Sequence, residues 1–253
     1  MKNLNVRAKL FIGAMATAGV LVLASGLMQW ESKDLVRFLS FLGIAALASR
    51  LKAKLPGTTG NMSVNLPFIL LAVSQLSFAE TVVIAAVSAF VQGLPARGNR
   101  VNPVQALFNV STLVVAAAAA DVVYWRCAAI PALSAESLLI ARAGAMFMVA
   151  DSLLVAAVIA LTENLNLVKV WREMLQLTFS YFVLSAGIAA IAATATRYVG
   201  WQTPVLVLPV IIGTYVSYRR YFRLPVVGMG NLQFASLPAG TRENAKEVHQ
   251  LNH

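Results

Sequence analysis

The chain has 253 residues, 59% of them hydrophobic and only 12% charged, with a mean hydropathy of +0.74. A soluble domain carries about 45–50% apolar and about 25% charged residues. So little charge cannot cover a soluble globule, which argues against a cytosolic enzyme, a disordered chain and a free nucleic-acid binder. The net charge is +10, and the single cysteine, Cys127, excludes an intrachain disulfide and a cysteine-based metal cluster. A polytopic membrane protein remains.

A helix crossing a bilayer needs roughly 20 apolar residues. Seven apolar stretches stand out, at 10–30, 35–51, 66–94, 103–125, 137–162, 174–196 and 201–218. The first follows Lys2, Arg7 and Lys9 and ends near Ala24, Ser25 and Gly26, as a signal peptide does. It runs on to Trp30 without an A-x-A site, so a retained span is the reading here. Between the second and third stretches, Pro56, Gly57, Gly60 and Pro67 demand turns, and Pro67 suits a first helical turn. Asn61 to Asn65 alternates polar and apolar residues. That pattern fits a short extended strap dipping toward the bundle, either as an ordered surface turn or as part of a ligand vestibule.

The third stretch is too long for one crossing. As one helix, 66–94 would run to about 43 Å against a hydrocarbon core of about 30 Å. The interruption Ser74-Gln75-Leu76-Ser77, followed by Glu80, predicts two short helices over 66–78 and 80–94. The split also satisfies the charge rule, by which cytoplasmic loops are rich in Lys and Arg. Eight segments with both termini cytoplasmic place 15 of the 20 basic residues inside, including Arg50, Arg97, Lys169 and Arg219. Residues 163–172 read as a short interfacial helix carrying Trp171. Ala45 with Ser49, and Gly187, read as close-packing positions. The expected fold is therefore an all-α polytopic transmembrane bundle over 1–223. A cytoplasmic tail, 224–253, follows it, opening an amphipathic linker helix capped by Thr241.

Ionisable or amide side chains inside a span are costly, and are either paired or functional. Asp121, near the outer end of one span, and Arg142, near the outer start of the next, are placed to form an ion pair. Asp151 lies on the opposite side of its helix from Arg142 and needs another partner, for which Asn109 is a candidate. Glu80, at the predicted turn, is expected to be solvated, and Gln75 and Gln92 to bond between helices. With Asn65 from the strap, the candidate ligand-binding residues are Asn65, Gln75, Asn109, Asp121, Arg142 and Asp151. No catalytic constellation accompanies them. The only histidines are His249 and His253, and no zinc-protease, phosphate-loop or nucleophile-elbow motif occurs in context. The expectation is a non-enzyme with no cofactor or metal.

Four segments carry a family resemblance: RLKAKLPGTTGNMSVNLPFIL, VQALFNVSTLVV, VWREMLQLTFSYFVLS and LVLPVIIGTYVSYRRYF followed by an amphipathic tail. Their order over 35–251 resembles the membrane-associated sensor (MASE-like) domains found at the N-termini of bacterial signalling proteins. Those domains commonly precede GGDEF diguanylate cyclase or HD-GYP phosphodiesterase modules. The present sequence departs in containing no GGDEF, EAL or HD-GYP sequence. The resemblance thus implies an input module of the bacterial inner membrane. It would bind a small or lipophilic ligand, or sense membrane state, and pass the signal through its last helix and tail to an output protein or within a homodimer. A second resemblance, of helix pattern over 35–196, is to the substrate-binding components of energy-coupling-factor vitamin transporters. It implies the alternative of a transporter subunit, with no ligand residue carried over.

Overall fold

The computed structural model describes residues 5–30, 34–54, 61–94 and 103–200, together with 209, 212 and 213. Among them lie seven α-helices and one small hairpin. In chain order these are α1 (Val6–Met28), α2 (Leu35–Arg50), β1 (Lys52–Lys54), β2 (Asn61–Ser63), α3 (Leu66–Gln75), α4 (Phe78–Gly93), α5 (Pro103–Ala128), α6 (Glu136–Glu163) and α7 (Leu167–Val199). α1, α5, α6 and residues Leu167–Thr196 of α7 are long and apolar enough to cross a membrane. α2, α3 and α4 are shorter, at 16, 10 and 16 residues. Apart from residues 209, 212 and 213, the eighth segment, 201–218, and the tail helix fall outside the described residues.

The helix break in the third stretch is present, with the first helix ending three residues and the second starting two residues earlier than the sequence suggested. α3 ends at Gln75 and α4 starts at Phe78. The cause is a capping box. The Ser77 hydroxyl accepts from Glu80 N–H at 3.3 Å, and Glu80 Oε2 accepts from Ser77 N–H at 2.9 Å and from its hydroxyl at 3.0 Å. Each side chain satisfies a donor that a helix start leaves open. Glu80 is consequently buried, at 4% exposure, and not solvated as expected. The S-x-x-E spacing was the available signal.

Two other expectations change. Residues 163–172 do not form a separate interfacial helix. α6 stops at Glu163, Asn164 turns the chain in a left-handed conformation, and Asn166 caps a single 33-residue α7. The Asn166 side chain accepts from Val168 N–H and Lys169 N–H at 2.9 and 3.3 Å. The strap is real in Asn61–Ser63, but it is half of a hairpin: β2 pairs antiparallel with β1, Ala53 opposite Met62.

Packing follows small residues, as expected in lipid, where close backbone approach replaces a hydrophobic driving force. Of the positions read in the sequence, Ala45 and Ser49 are fully buried, while Gly187 is not a close-packing point. Gly187 faces open space. A side chain at Gly19 would overlap Ser111 of α5, one at Gly26 would overlap Val82 of α4, and one at Gly144 would press on Ala186 of α7. α6 and α7 form an antiparallel pair, sealed further by Phe147 against Phe182 at 6.3 Å. α1 buries only Ala8, Met15, Gly19 and Gly26 and exposes Leu10, Val20 and Leu21, as a helix facing lipid does. α3 is the opposite: every residue from Leu66 to Val73 is buried. The short helix is the centre of the bundle.

Candidate functional site

A helix N-terminus enclosed in a bundle must account for its free N–H groups. α3 does so with few parts. Pro67 has no N–H, and Phe68 and Ile69 N–H donate to the Asn65 carbonyl at 3.1 and 3.2 Å. Leu66 remains, and its backbone is hydrogen-bonded with the Tyr181 hydroxyl of α7. Tyr181 also bonds Ser185, one turn on, and lies within electrostatic reach of Asp151 on α6. Asn65 and Ser185 are buried at 4% and 2% exposure. Three chain segments therefore meet at one polar point: the start of α3, α6 at Asp151 and α7 at Tyr181. One turn of α6 carries a further polar tie, in which Trp171 Nε1–H donates to Ser152 Oγ at 3.0 Å.

The far end of α3 is tied as well. Gln75 Oε1 accepts from an Arg37 Nη of α2 at 3.0 Å, while Gln75 Nε2 donates to Thr196 Oγ1 of α7 at 2.9 Å. These two bonds define a level shared by α2, α3 and α7. From it, α2 descends about 20 Å to Arg50 and α3 about 14 Å to Leu66, at 1.5 Å per residue. α7 runs about 40 Å from Thr196 to Lys169 on the same measure. The β1–β2 hairpin thus joins α2 to α3 partway along the bundle, and α7 continues beyond it. Non-helical backbone at such depth is tolerated only where protein or a water-lined cavity satisfies it. On the continuing stretch of α7, Asn166, Lys169, Arg172, Glu173 and Gln176 line an open groove.

The six residues singled out in the sequence do not converge on one pocket. Leu66, next to Asn65, hydrogen-bonds Tyr181 through its backbone, and Asp151 lies within electrostatic reach of the same tyrosine. Asn109 is exposed on α5, and the group within electrostatic reach of Asp151 is Tyr181. Gln75 bonds between helices as expected, at the opposite end of α3. Asp121 is buried at 4% exposure, but its side-chain hydrogen bond is to Trp125 of its own helix and not to Arg142. Arg142 is partly buried on α6. The residue that sequence reasoning missed is Tyr181. Tyrosines in membrane helices gather at the interfaces, so one in mid-helix beside Ser185 at i+4 was the available signal. Cys127 is a free, partly buried thiol on α5, and among the described residues no group of three or more His, Cys, Asp or Glu side chains is placed to hold a metal.

Residues 34–223, three quarters of the chain, match the MASE9 family, and neither a curated protein nor a solved structure matches. The match spans α2 through α7, including the hairpin, the central α3 and the Tyr181 junction. A bundle of apolar helices with a polar junction at its centre fits that assignment, and the chain belongs to the MASE9 family of membrane-associated sensor domains.

Proposed function

We propose that the chain is the input half of a bacterial signalling system, seated in the cytoplasmic membrane with both termini in the cytoplasm. It performs no chemistry itself. A small or lipophilic ligand, or the state of the bilayer, acts at the junction of Asn65, Asp151 and Tyr181. The displacement is read out by α7 and the segment that follows it, toward a partner output protein or a second copy. One observation carries this reading: Tyr181 holds the start of α3 while belonging to the helix that leads to the C-terminus. A stimulus that favours one arrangement of α3 against α7 shifts the population of the other, provided that it interacts differently with the two. The basic residues at the N-terminus, at Lys169 and Arg172, and at Arg219 to Arg223 support the orientation.

The test joins the chain to a diguanylate cyclase as reporter and compares Tyr181→Phe, Asp151→Asn and Asn109→Ala at matched membrane levels. Tyr181→Phe and Asp151→Asn should change reporter output several-fold, and Asn109→Ala should leave it alone. Equal output from all three and the parent chain would sink the reading. Uptake of a radiolabelled solute by vesicles carrying the chain, together with co-purification of an ATPase, would instead favour the transporter alternative.

A further inference from the structure

The tie at the end of α3 leaves a charge unanswered. Arg37, on the first turn of α2, is partly buried, and one Nη donates to Gln75 Oε1 at 3.0 Å. Gln75 Nε2 donates in turn to Thr196 Oγ1 at 2.9 Å, and Thr196 Oγ1 donates to the Ala192 carbonyl at 2.9 Å. Every bond of this chain runs one way, from the guanidinium to the backbone of α7. The acceptors are spent along it, and donors remain at its head. A guanidinium has more N–H donors than one acceptor can use. Of these, the Arg37 Nε–H is shut away from solvent and has no acceptor.

The carboxylates nearest in the chain are engaged elsewhere. Asp34 accepts from the Arg37 backbone N–H at 3.0 Å, and Glu80 Oε2 is taken by Ser77. No salt bridge reaches the Arg37 guanidinium among the described residues. Arg37 also differs from the other cations in its setting. Arg7, Lys9, Arg50, Arg126, Lys169 and Arg172 are exposed, and Arg142, partly buried on α6, has a partner. A half-buried cation held in place without a counter-charge is costly, and pairing it removes most of that cost.

We infer that Arg37, with Gln75 beside it, is a binding site for a small oxyanion, a carboxylate or a phosphate. Such a group presents two oxygens in the plane of a guanidinium and accepts an Nε–H and an Nη–H together, which a single glutamine oxygen does not. The second amide N–H of Gln75, unused among the described residues, adds a further donor. Arg37, Gln75 and Thr196 are each partly exposed, so the group borders the surface of the bundle. On the orientation proposed above this is the outer end, within reach of a dissolved anion and of lipid phosphate alike. The site lies at the other end of α3 from Leu66 and the Tyr181 junction, and stands whether or not α7 relays a signal.

The experiment is thermal unfolding of the full chain, purified in dodecyl maltoside to remove phospholipid, at fixed pH and ionic strength. Sodium phosphate, sodium acetate and a short-chain phosphatidylglycerol are each titrated against sodium chloride. An anion at ten times its Kd should raise Tm by about 3–6 °C. A response to phosphate or acetate assigns the site to a dissolved anion, and a response to phosphatidylglycerol alone assigns it to a lipid headgroup; either supports the proposal. Arg37→Gln should abolish the shift. Arg37→Lys, which keeps the charge but not the fork, should weaken binding several-fold, and it also serves if Arg37→Gln fails to fold. Arg126→Gln, at an exposed arginine, should retain the full shift. The proposal is overturned by no shift with any of the three anions, by an undiminished shift in Arg37→Gln or Arg37→Lys, or by an equal loss in Arg126→Gln.

Discussion

Gly26 of α1 offers a quantitative test of the packing. A methyl group added there would lie 2.9 Å from Val82 Cγ2, 3.4 Å from Ala79 Cα and 3.6 Å from Phe78 Cε1. Carbon atoms pack best at about 3.5–4.0 Å. The Val82 methyl is therefore about 0.6–1.1 Å too close, while the other two contacts are tight or ordinary. Gly26→Ala should destabilise by about 1–3 kcal/mol, the usual cost of overpacking. Val82→Ala removes the offending methyl and leaves Ala79 and Phe78 where they are. Alone it empties space in a fully buried seam and should cost about 1–3 kcal/mol. Together the two changes should cost less than their sum, with a coupling of about 0.5–3 kcal/mol. Gly13→Ala, which meets nothing within 4 Å, is the control and should be close to neutral. The assay is reversible unfolding in mixed micelles titrated with SDS. Strict additivity of Gly26→Ala and Val82→Ala, or a neutral Gly26→Ala, would refute the packing of α1 on α4.

Three further changes probe single interactions. Gln75→Ala removes both hydrogen bonds that tie α3 to α2 and α7, and should cost about 1–3 kcal/mol; Thr196→Val, which removes only one, should cost less in the same SDS titration. Ser77→Ala breaks the capping box between α3 and α4 and should cost about 0.5–2 kcal/mol, with faster amide exchange in the first turn of α4. Trp171→Phe replaces the indole by a smaller ring and loses the N–H that reaches Ser152, so a loss of at least about 0.5–1.5 kcal/mol is expected; a Trp171→Phe protein as stable as the parent would mean that the bond contributes nothing.

The class of the fold was legible because burial in lipid is written in composition: long apolar stretches and basic residues gathered at their ends. The break between α3 and α4 was legible for a local reason, since a polar run at 74–77 and a glutamate three residues after Ser77 leave a helix little choice. The misreadings are nonlocal. Helical periodicity told correctly that Asp151 points away from Arg142, yet nothing in the spacing says which helix lies on that other side. The answer depends on α3 being short enough to begin inside the bundle, which brings Leu66 and Asp151 to the same tyrosine. Asn109 was chosen for its depth in the preceding span, and α5 turns it outward. Residues 163–172 misled because Trp171 and its basic neighbours match an interfacial composition. An asparagine cap at Asn166 makes them the first turns of α7 instead. β1 went unread because Lys52-Ala53-Lys54 has no strand signature apart from its partner.

The central claim is that α7 reads the position of α3 through the Tyr181 junction. The most direct measurement cross-links the two. Gln75→Cys and Thr196→Cys, whose parent side chains meet between α3 and α7 and which leave Tyr181 in place, are introduced in a Cys127→Ser background fused to the cyclase reporter and joined by oxidation or by a short bismaleimide. Reporter output should then stay fixed across growth conditions that change it in the uncrosslinked fusion, and reduction of the disulfide should restore the response. A fusion that responds in full while a gel shows the cross-link intact would contradict the account.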